Sequence, residues 1–211
     1  MALSRGPKVV TNGLVLALDA ADKNSYPGSG ATWRDLSGNG NNSTLTNGPT
    51  FSSAGRGSIV FDGIDDYTTI PVQSSVGSIC FWYYYNAGTI QSLIMGNASS
   101  MIYCGGGAGS GHWFNQTADY SFVFYWPNVS QWLYMCGTYT SATSNSMYIN
   151  GTLAYSSNTY NLPKGTTYNV AGNYYNPQNC RFSSISVYNR SLTATEVLQN
   201  YNATKSRFGL I

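Results

Sequence analysis

Short runs in which apolar and polar residues alternate, separated by Gly, Asn, Pro and Ser, recur along the whole chain. A period of two marks half-buried β-strands, and many such runs at close spacing predict a sandwich or barrel. The pattern predicts strands over Gly13–Asp19, Gly57–Asp62, Tyr67–Pro71, Ser78–Tyr85, Ile90–Met95, Ser100–Cys104, His112–Asn115 and Tyr120–Trp126. It continues with Trp132–Thr140, Ser146–Asn150, Leu153–Ser156, Tyr168–Gly172 and Arg181–Tyr188. Asn150-Gly151 separates two of these runs, and that dipeptide suits the two positive-φ positions of a type I′ hairpin. In Ser78–Tyr85, Ser78, Cys80, Trp82 and Tyr84 share one face, while Ile79, Phe81, Tyr83 and Tyr85 share the other. Both faces are rich in apolar and aromatic side chains, so this strand is expected at the centre of a sheet, covered on both sides. Residues 22–50 read as a long Gly/Asn-rich connection folded over one edge.

One helix interrupts the β pattern. Thr193-Ala-Thr-Glu196 has the spacing of a capping box, and Val197, Leu198 and Tyr201 then form an apolar stripe able to dock on the sandwich. That position assigns Glu196, the only Glu in the chain, to a helix cap rather than to acid catalysis.

Composition narrows the chemistry. Charged residues make up 9% of 211, and Ser, Gly, Asn and Thr together supply 90 residues. The surface therefore meets water through hydroxyls and amides. A net charge of +2 gives no basic patch of the kind nucleic acid requires, so no nucleic-acid partner is expected. The longest apolar run near the start, Leu14–Leu18, is far too short to span a membrane, and no export signal or lipidation motif is read there. Cys80, Cys104, Cys136 and Cys180 form no CxxC pair and His112 is the only imidazole, which argues against zinc. In a chain read as cytoplasmic, these cysteines are expected to be reduced core residues.

Four segments hold candidate chemistry. Asp62, Asp65 and Asp66 bring three carboxylates into five residues and are the candidate calcium ligands, although an Asp-Gly turn explains Asp62 without a metal. No other cofactor is expected. A paired-carboxylate glycosidase needs two acids facing each other across a cleft. Asp62 with Asp65 or Asp66 could form such a pair, but nothing in the sequence marks one of them as a raised-pKa acid, so no catalytic residue is assigned. Gly105–Gly111 lacks the Lys-Ser/Thr of a phosphate loop and reads as a strand connection. Trp113, Tyr174 and Tyr175 are the candidate ligand-binding aromatics, with core, glycan and protein contact all open for them.

Several segments together carry a family resemblance. They are Leu14-Val-Leu-Ala-Leu-Asp19, Thr32-Trp-Arg-Asp-Leu-Ser-Gly-Asn-Gly-Asn-Asn42, Ile59-Val-Phe-Asp-Gly63 with Asp65-Asp-Tyr67, and Val187-Tyr-Asn-Arg-Ser-Leu-Thr193. Over residues 9–209 the chain resembles the concanavalin A-like, laminin-G-like lectin/glucanase superfamily, and Glu196–Gly209 resembles the version found in bacteriophage virion proteins. The resemblance implies an all-β jelly-roll sandwich of two antiparallel sheets with one short C-terminal helix. The paired-Glu strand of the superfamily's glucanases has no counterpart here.

The expected organisation is an N-terminal arm over 1–8, a sandwich over 9–205 and a tail over 206–211, the two ends serving as docking arms. The expected function is that of a non-enzymatic bacteriophage structural protein on the virion surface, assembled in the host cytoplasm. Capsid decoration leads, with the major capsid protein and further copies of the chain as partners. The alternative is a tail- or fibre-associated lectin that binds host surface carbohydrate.

Overall fold

A computed structural model describes residues 7–54, 56–71, 76–86, 92–97, 100–104, 110–115, 118–125, 130–141, 144–157, 167–172, 177 and 179–211, with backbone alone for the strands between 92 and 125. Among the described residues two eight-stranded antiparallel sheets face each other. The first contains β1 (Leu14–Asp19), β4 (Thr50–Ser52), β5 (Ser58–Asp62), β7 (Ser78–Tyr85), β12 (Trp132–Ser141), β13 (Ser144–Ile149), β14 (Thr152–Ser157) and β16 (Asn179–Tyr188). The second contains β2 (Thr32–Trp33), β3 (Ser43–Thr46), β6 (Tyr67–Pro71), β8 (Ser92–Asn97), β9 (Ser100–Cys104), β10 (Ser110–Asn115), β11 (Ala118–Tyr125) and β15 (Thr167–Val170). This is the sandwich arm of the sandwich-or-barrel expectation from the alternating pattern, and the jelly-roll sandwich of two antiparallel sheets that the family resemblance implies.

β7 is the two-sided strand the sequence foretells. Ile79, Phe81 and Tyr83 enter the core between the sheets with Phe61, Phe182, Ile185 and Val187. Cys80 and Trp82 point the other way, into a second cluster with Tyr134, Tyr188, Val197 and Phe208. That cluster lies beneath α1 (Ala194–Thr204) and the 3₁₀ helix Lys205–Phe208. The Trp82 ring stacks on Phe208 at 4.0 Å and its Nε1 donates to Thr204 Oγ1 at 2.8 Å. The molecule therefore has three layers: sheet, sheet and helix.

The capping box at Thr193 and Glu196 forms as expected. Of the predicted stripe, Val197 is buried and Tyr201 packs on the aromatic layer, but Leu198 is exposed. Asn200 is buried instead, because it has polar work to do there. It accepts from Val10 N (2.8 Å) and donates to the Tyr188 hydroxyl (3.0 Å), which in turn donates to Val10 O (2.9 Å). Burial pushes the Tyr188 phenol up to about 12, with Asn200 partly offsetting it, so the hydroxyl stays a neutral donor.

Three expectations are corrected. Residues 22–50 do cross an edge, but they also form β2 and β3 and begin β4, strands too short for a period-two signal. Cys80 and Cys136 are directly opposed on β7 and β12 with their Cα atoms 4.0 Å apart, and they form a disulfide rather than two thiols. Across-strand register, invisible in sequence spacing, makes that pair. The segment from Ser206 is no free tail: Phe208 is buried, and Arg207 donates to both carboxylate oxygens of Asp19 at 2.8 and 2.6 Å. Of the N-terminal arm, residues 1–6 lie outside the described residues, while Lys8 O accepts from Gln199 Nε2 at 2.7 Å.

Candidate functional site

The acidic turn sits where the chain passes from one sheet to the other. β5 belongs to the first sheet and β6 to the second, and only Gly63–Asp66 connects them. Gly63 has φ +80°, and a Cβ there would stand 2.8 Å from Asn179 N, so the turn needs glycine on both counts. Asp62 Oδ1 accepts from Ile64 N at 2.8 Å, closing an Asx turn. Asp66 Oδ2 accepts from Asp62 N at 3.1 Å, and Asn47 Nδ2 donates to Asp65 O at 2.9 Å. Asp62 and Asp65 are exposed, whereas Asp66 is buried. Burial raises the Asp66 pKa, the Asp62 amide opposes that, and the neighbouring charges of Asp62 and Asp65 add to it.

The structure thus brings the three sequence-predicted carboxylates together, with one oxygen from each within 4.8 Å of the others. Oxygen donors of this kind suit a hard cation, but calcium takes six to eight oxygens at about 2.3–2.6 Å. Here one oxygen of Asp62 and one of Asp66 already hold the turn. Turn chemistry accounts for the Asp62 and Asp66 carboxylates, while Asp65 is held through its backbone carbonyl, and the cluster is the place where a calcium ion would bind if the chain takes one.

The other described carboxylates have structural tasks. Asp35, which the sequence reading passed over, anchors a loop that covers the open edge of β1. Its Oδ1 accepts from Ala17 N and Ser37 N, both at 2.8 Å, and its Oδ2 from Ser37 Oγ (2.7 Å) and Asn41 N (3.0 Å). Leu36 N donates to Ala17 O, and Asn41 Nδ2 to Val15 O, both at 2.8 Å. The loop mimics a neighbouring strand and blunts an edge that would otherwise invite pairing. Its signal was the Asp-x-Ser-Gly-Asn-Gly-Asn run, in which short polar side chains can bond the backbone. Asp22 accepts from Asn24 N, and Asp19 is held by Arg207. Glu196 accepts from Thr193 N and from both Nη atoms of Arg190, and the Arg190 hydrogen bonds bring its pKa down to about 2.

Of the aromatic candidates, Trp113 lies on β10, where only the backbone is described, and Tyr174 and Tyr175 lie outside the described residues.

The sequence profile described as the concanavalin A-like lectin/glucanases superfamily, of laminin G type, matches residues 61–198. The chain belongs to that superfamily. No curated protein matches it in sequence. Among solved structures it is similar to the binding domain of Paraclostridial mosquitocidal protein 1, at 17% identity and a TM-score of 0.73, covering 95% of this chain and 56% of that one. It is also similar to the botulinum neurotoxin serotype D binding domain, at 14% identity and a TM-score of 0.72, covering 91% and 52%. Trypanosoma rangeli sialidase in complex with sialic acid matches at 11% identity and a TM-score of 0.71, covering 92% and 33%. The chain spans a little over half of the toxin binding domains and a third of the sialidase. At these identities the likeness is one of fold.

Proposed function

We propose that this domain is a non-enzymatic contact module that works by surface adhesion. The observation that carries the reading is the state of Glu196. A glycosidase of the two-carboxylate type needs one acid held protonated near neutral pH and a second facing it across the bond. The chain's only Glu is ionised, capped and forked by Arg190, so it has no proton to give. Among the described residues the Asp19, Asp22, Asp35, Asp62 and Asp66 carboxylates each hold the backbone or an arginine, and Asp65 stands exposed beside Asp62 and Asp66 in the same turn rather than across a cleft from them. The fold shared with the two toxin binding domains supports a recognition role.

The narrower setting we propose is the surface of a bacteriophage particle, with decoration of the capsid as the role and the major capsid protein and further copies of this chain as partners. What supports it is the resemblance of Glu196–Gly209 to virion proteins, together with a surface poor in charge and rich in Ser, Asn, Thr and Tyr. Assembly would take place in the host cytoplasm. Immunogold labelling of purified particles tests this: label spread over the head supports decoration, label at the tail tip supports the host-glycan lectin, and unlabelled particles contradict both placements.

A further inference from the structure

Among the described residues the helix layer covers only part of the outer face of the first sheet. It reaches Trp132, whose ring lies 4.8 Å from Phe208, and the sheet continues beyond. There the strand registers set four residues in one row: Val60 on β5, Arg181 on β16, Tyr84 on β7 and Trp132 on β12. All four are half-buried. Parity puts them on the outward side, since Ile59, Phe61, Cys180, Phe182, Tyr83 and Leu133 all point into the core between the sheets.

Arg181 in this row is set up unlike Arg190 and Arg207. Those two each spend both Nη atoms on a carboxylate. The Arg181 guanidinium lies over the Tyr84 ring at 5.2 Å and uses Nε, donating to Asn86 Oδ1 at 3.1 Å. Asn86 is fixed in turn, because its Nδ2 donates to Asn179 Oδ1 at 2.7 Å. The Nη edge of Arg181, four N–H donors, meets no acceptor among the described residues. Asp62 stands opposite Asn179 in the neighbouring row, but its carboxylate turns to Ile64 N and makes no ion pair with Arg181. A guanidinium held from behind, with its fork open, is ready for a planar anion. Beside it, Tyr84 and Trp132 lie 5.4 Å apart, half-exposed. Such rings stack against the C–H face of a sugar, and the Asn86 and Asn179 amides lie within the same patch to meet hydroxyls.

We infer that this row is a binding subsite for an acidic saccharide, with the sugar's carboxylate on the Arg181 Nη fork and its ring against Trp132 and Tyr84. The inference rests on the contact reading above and names the chemistry of one contact surface. Preorganisation by Asn86 lowers the entropy that a free arginine would lose on binding.

The test uses the full chain and isothermal titration with sialyllactose against lactose, repeated with trigalacturonate against galactotriose. The acidic member of each pair is expected to bind more tightly, with affinity that falls as salt rises. Arg181→Gln is expected to weaken the acidic ligand about tenfold and to abolish the preference over the neutral one. Asn86→Ala, which frees the guanidinium without removing it, is expected to weaken binding by a smaller factor. Thermal melts of each variant keep a folding defect from passing as a binding defect. Equal affinity for acidic and neutral sugars, saccharide binding unchanged in a folded Arg181→Gln variant, or no saccharide binding at all would each overturn the subsite. Adhesion of the wild type to cells or particles that survives Arg181→Gln overturns the subsite alone. Absence of any such adhesion overturns the contact reading with it.

Discussion

Glu196 is gripped by Arg190 at 2.6 and 2.9 Å while it also caps the helix that begins beside it. One carboxylate thus ties the turn after β16 to the first turn of α1, and a charge that carries these two structural tasks is poorly placed to act as a proton donor. Its pKa, about 2 against an ordinary 4.5, is lower in the folded chain. Its contribution to stability is therefore complete above about 4.5 and is lost as pH falls towards about 2. Both side chains keep a quarter or more of their surface in water, so solvent screening holds the contribution to about 1 kcal/mol. Glu196→Gln is expected to lower the midpoint of urea unfolding at neutral pH and to match the wild type near pH 2.

Phe208 should matter more than its place near the C-terminus suggests. Its ring stacks on Trp82 and touches Trp132, so Phe208→Ala empties the middle of the outer layer. A loss of about 3 kcal/mol is expected, read from denaturant midpoints at unchanged m-value. Arg207→Ala, which breaks the half-buried pair with Asp19 and a 3.3 Å hydrogen bond to Ser183 Oγ, should cost about 1 kcal/mol.

The β13–β14 hairpin offers a sharper steric test. Asn150 and Gly151 have φ of +50° and +78°, as the sequence predicts for a type I′ turn. A Cβ on Gly151 would also stand 2.9 Å from Leu198 Cδ1. Gly151→Ala is expected to cost about 1–2 kcal/mol. Adding Leu198→Ala should recover the part due to the Leu198 contact and leave the part due to φ and to Tyr201, whose Cδ1 would stand 3.1 Å from that Cβ, a separation that a double-mutant cycle measures.

Asp66 carries the opposite pH signature to Glu196. Burial raises its folded pKa, so the native state holds its proton more tightly and the group's contribution to stability falls as pH rises from 3.8 through the raised value. Asp66→Asn keeps an acceptor for Asp62 N and removes the buried charge. In the presence of a chelator it is expected to be at least as stable as wild type at neutral pH, while Asp66→Ala loses about 1–2 kcal/mol. Differential scanning calorimetry of both variants, with and without added calcium, reads the turn chemistry and any cation dependence in one experiment.

Strand content, the two-sided β7, the Asn-Gly hairpin and the capping box were all legible because each is local. Period, turn chemistry and cap spacing leave their mark within ten residues. Other features depend on register between distant strands. The Cys80–Cys136 pairing arises because β7 lies beside β12, and the Arg181–Tyr84–Trp132 row because β16, β7 and β12 are neighbours. The covering of the β1 edge by the Asp35 loop is likewise tertiary, and short β2, β3 and β4 gave no periodicity to detect. Of the candidate site, the Asp62–Asp65–Asp66 cluster could be read because its members lie within five residues, whereas Arg181 and Asn86, which lie 95 apart, could not.

The central claim, contact without cleavage, is tested most directly by incubating a saccharide panel with stoichiometric protein and weighing both bound and free ligand by mass spectrometry. The account predicts saturable binding with every ligand recovered intact. Recovery of shortened saccharide, with cleavage lost in Glu196→Gln or Asp66→Asn, would contradict it.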